Sequence, residues 1–335
     1  MRKSGEEYTL RPDDAVEALL EQAERRPVPP ADDEREVREA VRAEWQAVTG
    51  KYRARRRVTR FAIAASVLLA AALSFNAFRD TGIAPVNVAS IDKSHGSIYL
   101  LGEQSELTEL AGLATVATGQ TVVTGEESGI GLVWHGGGSL RMDEATVIEF
   151  VGTDAVYLRE GRVYFDSRAA DVDFTVKTAH GDVSHRGTQY MTAVDASRLT
   201  VSVREGEISI ERGRGRDSAF PGQQLRIAGD APAMVTNIGR SGASWKWVEA
   251  TAPTVDFSGK STYEFLHWVA RETGYDLVFE DTAAERTARA GRLVGAIPGL
   301  DPRRELEVRM LGEDLDYALD QASGTIIVSS IDAGH

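Results

Sequence analysis

The feature that most constrains this chain is an apolar run, FAIAASVLLAAALSFNAF at residues 61–78, which holds no charged residue. At about 1.5 Å of rise per residue a helix of this length reaches roughly 27 Å, close to the thickness of a hydrocarbon core. Six cations stand just before it with no acid among them: Lys51, Arg53, Arg55, Arg56, Arg57 and Arg60. A buried core helix seldom follows such a block, and a cleaved signal peptide does not carry some sixty residues ahead of its apolar part. The run is therefore expected to be a single transmembrane helix over 61–78. Cations stay on the cytoplasmic side, which places residues 1–60 in the cytoplasm and the large remainder on the periplasmic side of the inner membrane.

Charge divides along the same line. The formal net charge is −13, yet residues 1–60 are almost neutral, with 14 Lys+Arg against 13 Asp+Glu. The remainder holds 24 basic and 38 acidic residues. An acidic outer part excludes a chain-wide nucleic-acid surface, which needs a basic excess. The absence of cysteine removes disulfides, thiolate metal sites, iron–sulfur clusters and cysteine nucleophiles. An exported part built this way is held together by packing alone.

The cytoplasmic segment reads as two small helices. Ala15, Val16, Leu19, Leu20 and Ala23 form one apolar stripe, ended by Pro27, Pro29 and Pro30. A second stripe, Val37, Ala40, Val41, Trp45 and Val48, follows a cap at Asp32 or Asp33. Sixty residues with two thin stripes bury little surface of their own. Val37, Val41, Trp45 and Val48 are therefore the candidate partner-binding face.

Beyond the membrane, short alternating runs broken by glycine predict a mainly β domain over 90–230. VYLREGRVYF (156–165) and VSVREGEISI (201–210) share the pattern V-x-h-R-E-G-x-h-x-h, with h apolar. Each reads as a short hairpin with Gly161 or Gly206 at the turn, placing Val156, Leu158, Val163 and Phe165, or Val201, Val203, Ile208 and Ile210, on one face. Two such units in series suggest a solenoid-like stack or a sandwich of short hairpins.

Between them lies FTVKTAHGDVSHRGTQYMTAV, residues 174–194. Its V-x-T-x-x-G-x-V-x-H-x-G-T-Q run, with LTVSVREGEISI and PGQQL after it, resembles the core of FecR-type regulators, membrane-anchored anti-sigma factors and iron–siderophore sensors. The matching residues are Thr178, Gly181, Val183, Gly187, Thr188, Gln189, Val203, Glu205, Gly206, Pro221, Gly222 and Gln223. The resemblance implies an extracytoplasmic-function sigma factor as the cytoplasmic partner and the signalling domain of a TonB-dependent receptor as the periplasmic one, with processing proteases in the signalling route. It also implies self-cleavage between Gly187 and Thr188, the Thr hydroxyl attacking the preceding carbonyl.

Residues 231–253 read as a linker that docks through Trp245 and Trp247. Residues 254–331 then suggest a strand, a helix with Phe265, Leu266, Val269 and Ala270 on one side and Gly274 as its stop, a strand at 277–279, a second helical or strand unit from Glu305 onward and a closing strand at 325–329. This order is similar to the small α+β, βαβ fold of the secretin and TonB-receptor short N-terminal domain.

Catalytic and ligand readings find little. His180 and Asp182 point one way along a strand and His185 the other, so no metal site is expected. Ser128 lacks the glycine two positions earlier that a nucleophile elbow needs, and Gly136, Gly137 and Gly138 lack the lysine of a phosphate loop. No enzyme activity and no cofactor are expected. The alternative to a sigma-factor regulator is a membrane-tethered periplasmic binding or scaffold protein without a sigma partner.

Overall fold

The computed structural model describes residues 85–331 except 103–104, 111–114, 168–172 and 214. The expected cytoplasmic helices, Val37, Val41, Trp45 and Val48, and the 61–78 span lie outside the described residues. Among the described residues no helix is long and apolar enough to cross a membrane.

The alternating runs become strands β1 (Asn87–His95), β2 (Ile98–Leu101), β3 (Leu107–Glu109), β4 (Thr115–Ala117), β5 (Thr121–Thr124), β6 (Gly129–Trp134), β7 (Ser139–Met142), β8 (Val147–Glu149), β9 (Ala155–Asp166), β10 (Thr175–Lys177), β11 (Asp182–Asp195), β12 (Arg198–Arg212), β13 (Gly215–Ala219), β14 (Gln223–Ile227) and β15 (Met234–Asn237). They join one hydrogen-bonded sheet that its register folds into two layers. One layer runs β4-β1-β6-β7-β9-β11-β12-β14-β15. The other runs β3-β2-β5-β8-β9-β10-β11-β12-β13. Strands β9, β11 and β12 belong to both. Val122, Ile148, Val176 and Ile210 of the second layer share one apolar core with Leu132, Phe165, Val203 and Leu225 of the first.

The fold is thus a sandwich, and it corrects the short hairpins. Each Arg-Glu-Gly stretch is one long strand, β9 or β12, that bends at its glycine and crosses from layer to layer; φ is 96° at Gly161 and 75° at Gly206. The reason is parity. Leu158 and Val163, like Val203 and Ile208, are an odd number of residues apart, which on a straight strand puts them on opposite faces. A bulged bend restores both to the same core. All eight expected inward residues are buried. The true hairpin joins β11 to β12, where Asp195 Oδ1 accepts from Ser197 N at 2.9 Å and from Ser197 Oγ at 2.8 Å.

The stretch after β15 forms a 3-10 turn (Ala243–Trp245) and α1 (Lys246–Ala250). Then come α2 (Thr262–Thr273), β16 (Asp276–Phe279), α3 (Thr282–Ala290), α4 (Pro302–Met310), β17 (Leu315–Asp320) and β18 (Thr325–Ser330). The second sheet is ordered β16-β18-β17, with β16 parallel and β17 antiparallel to β18. Ser261 and Glu264 close a capping box on α2 and left-handed Gly274 ends it. Phe265, Leu266, Val269 and Ala270 fill a second core, as their spacing requires.

The strand expected ahead of α2 does not form, so helix–strand–helix–helix–hairpin replaces the simple βαβ order. Backbone groups there bond elsewhere: Thr254 N donates to Asp92 Oδ2 at 2.9 Å, Ser258 N to Asp256 Oδ1 at 2.8 Å and Lys260 N to Phe257 O at 2.9 Å. These bonds make a turn where a strand would need a ladder partner.

Candidate functional site

The Gly-Thr-Gln sequence sits where two bulges face each other. Strands β11 and β12 pair from Asp182 with Glu211 to Arg186 with Glu207, and resume at Gln189 with Glu205. Gly187 and Thr188 occupy the gap opposite Gly206. Gly187 and Gly206 are both left-handed, with φ of 58° and 75°. A Cβ at position 206 would stand 2.5 Å from both the Gly187 carbonyl oxygen and Thr188 Cγ2, so the close approach of the chains demands glycine.

Gly187 is exposed, while Thr188 turns inward at 1% exposure. Its Oγ1 is buried with no hydrogen-bond partner, and its carbonyl accepts from Ser167 N at 3.1 Å and from Ser167 Oγ at 3.3 Å. The His185 ring lies against Phe165 and Tyr190, with centroids at 5.0 and 5.6 Å. Burial lowers its pKa to about 4, so it is neutral at pH 7. Both its nitrogens are buried without partners, so no hydrogen bond links it to Thr188. The site offers a hydroxyl beside a bulged peptide and no hydrogen-bonded base.

The remaining sequence candidates are scattered. His180 Nε2 lies 3.2 Å from the Asp195 carbonyl oxygen, and Asp182 is exposed. Among the described residues no group of three His, Cys, Asp or Glu side chains gathers as a metal requires. Ser128 Oγ donates to Glu126 O and accepts from Ser97 N, both at 2.9 Å, and so ties a turn. Gly136, Gly137 and Gly138 form the β6–β7 turn.

Sequence reasoning missed the charged residues beside the bulge. On the outer face of the first layer Ser139, Arg141, Tyr164, Asp166, Gln189, Met191, Ser202, Arg204 and Gln224 are all buried. The 3-10 turn and α1 cover part of this face: Trp245 packs with Tyr164, Met191 and Val248. Arg204 stacks over Trp245 at 4.4 Å from the ring centroid and donates through Nε to Arg240 O at 2.7 Å. The end of α2 covers the rest. Glu272 Oε2 meets Arg141 Nη2 at 2.6 Å, Arg271 Nη2 meets Asp166 Oδ1 at 2.5 Å, and Arg204 Nη1 donates to Glu272 O at 2.9 Å. Gln189 Nε2 donates to Asp166 Oδ2 at 3.1 Å. In the sequence Gln189 stood out through the Gly-Thr-Gln motif and Trp245 as a docking residue, whereas no feature pointed to the burial of Arg141, Asp166 or Arg204.

Residues 120–209 match the family described as FecR protein, so this stretch, bulge included, is a FecR domain, as the motif reading expected. Two crystal structures of a candidate anti-sigma factor from Parabacteroides distasonis are similar to the chain. The first has a TM-score of 0.35 at 14% identity and covers 62% of this chain and 97% of its own. The second has a TM-score of 0.34 at 15% identity and covers 63% of this chain and 98% of its own. No curated protein matches.

Proposed function

We propose that this protein is a single-pass inner-membrane regulator of an extracytoplasmic-function sigma factor. Its FecR domain and C-terminal unit stand in the periplasm and receive a signal from a TonB-dependent receptor. The carrying observation is the FecR match over 120–209, which includes the Gly-Thr-Gln bulge. The cationic collar at 51–60 and the apolar run at 61–78 support the topology. Val37, Val41, Trp45 and Val48 are the face that holds the sigma factor. Crosslinking from position 45 of the full-length chain in cells tests this reading: it predicts a sigma factor among the captured proteins, and capture of none contradicts it.

Cleavage between Gly187 and Thr188 belongs to the same reading. Thr188 Oγ1 attacks the Gly187 carbonyl carbon, the C–N bond breaks as the nitrogen takes the proton, and water opens the resulting ester. A buried hydroxyl with no competing hydrogen bond, on the residue that supplies the nitrogen of the target peptide, supports it. The mass of the mature protein decides: two fragments are expected from the native chain and one intact chain from Thr188→Ala.

A further inference from the structure

The end of α2 reaches the FecR domain at one place, and the groups it touches lead directly to the bulge. Arg271 holds Asp166 at 2.5 Å and Glu205 at 2.7 Å. Asp166 in turn takes the Gln189 side chain at 3.1 Å, and its neighbour Ser167 holds the Thr188 carbonyl through its amide. Gln189 Nε2 also lies 3.5 Å from the Arg271 carbonyl oxygen. Two residues of the motif, Thr188 and Gln189, are thus tied to the same short segment that α2 grips.

The chemistry of this seam differs from that of a permanent interface. The apolar side of α2 is spent on its own core, through Phe265, Leu266, Val269 and Ala270. What it gives the sheet is ion pairs to Arg141, Asp166 and Glu205 and backbone carbonyls to Arg204 and Gln189. The other attachments of the C-terminal unit are polar too: Arg303 meets both carboxylate oxygens of Glu249 on α1 at 2.6 and 3.1 Å, Lys93 Nζ donates to Leu300 O at 3.1 Å, and Arg240 pairs with Asp276. Separating such contacts exposes charge, which water rehydrates, and leaves the unit's core closed. By contrast α1 and the 3-10 turn are fixed by Trp245 and Val248 in an apolar cluster.

We propose that the C-terminal unit is a releasable latch: seated through Arg271 and Glu272 it keeps the Gly187–Gln189 bulge closed, and withdrawn it frees Asp166, Ser167 and the bulge together. The inference goes beyond the regulatory reading and does not depend on it, since the contacts are the same whatever the chain regulates.

Hydrogen exchange read by mass spectrometry on the full-length protein in detergent tests it. The variants are Glu272→Gln and Arg271→Ala, with Arg198→Ala in the exposed pair to Asp195 as the control. The latch predicts that both seam variants speed exchange at the Ser167, Gln189 and Tyr190 amides by at least ten-fold. Amides at 199–203 and 265–270 keep the native rate, and Arg198→Ala changes none of these. Unchanged exchange at Ser167 and Gln189 overturns the proposal. So does a uniform increase across both cores, which is an ordinary loss of stability, or an equal effect from Arg198→Ala.

Discussion

The layer that contains β7, β9, β11 and β12 is buried on both faces, and the two faces are filled by opposite chemistries. Inward stand Leu140, Phe165, Tyr190 and Val203; outward, on the same strands, stand Arg141, Asp166, Gln189 and Arg204. The inward face is non-directional, so any apolar residue of about the right size serves it. The outward face works only while each charge meets its own partner, because an unpaired buried charge is far costlier than a lost apolar contact. One face therefore makes the domain, and the other makes a contact that depends on a second body being seated.

The largest expected effect breaks the inward face. Phe165 stacks on Phe174 with ring centroids 4.0 Å apart, and Phe165→Ala is expected to cost about 3–5 kcal/mol by thermal or denaturant unfolding. Next comes the crossing point of the two layers. Gly206→Ala puts a Cβ against the Gly187 carbonyl oxygen at a left-handed position and is expected to cost about 2–3 kcal/mol.

A smaller effect follows from His185, which burial keeps neutral. Its folded pKa of about 4 lies below the unfolded value of about 6.5, so the unfolded chain takes up the proton first. The His185 contribution is whole above pH 6.5 and is lost as pH falls through 4. Because the ring is partly exposed, the loss is on the order of 1–2 kcal/mol. His185→Phe, measured by unfolding midpoint against pH, removes that part of the acid sensitivity. The smallest effect belongs to Arg198→Ala, whose exposed pair with Asp195 is expected to change stability by less than about 0.5 kcal/mol.

The same contrast decides what was legible in the sequence. Val156, Leu158, Val163 and Phe165 announced the inward face by their apolar spacing, although a glycine between alternating runs signals a hairpin and a bent strand equally well. Arg141, Asp166 and Arg204 fall on the polar phase of that alternation, which reads as solvent-facing. Nothing local says that a helix far along the chain covers them; Arg141 and Glu272 are 131 positions apart. Gln189 was legible through its motif, whereas its partner Asp166 was not. Helix α3 was missed for a plainer reason: it buries only Ala284 and Ala288, too thin a stripe to register.

The most direct test of this account is a double-mutant cycle at Arg141 and Glu272, read as the opening free energy of the seam by hydrogen exchange at the Ser167 and Gln189 amides of the full-length protein. If the outward face is a seat of paired charges, Arg141→Met and Glu272→Leu each cost about 3–5 kcal/mol alone, because each strands the other charge. The double variant then recovers most of that loss. Additive losses, or single variants with no effect, would contradict it.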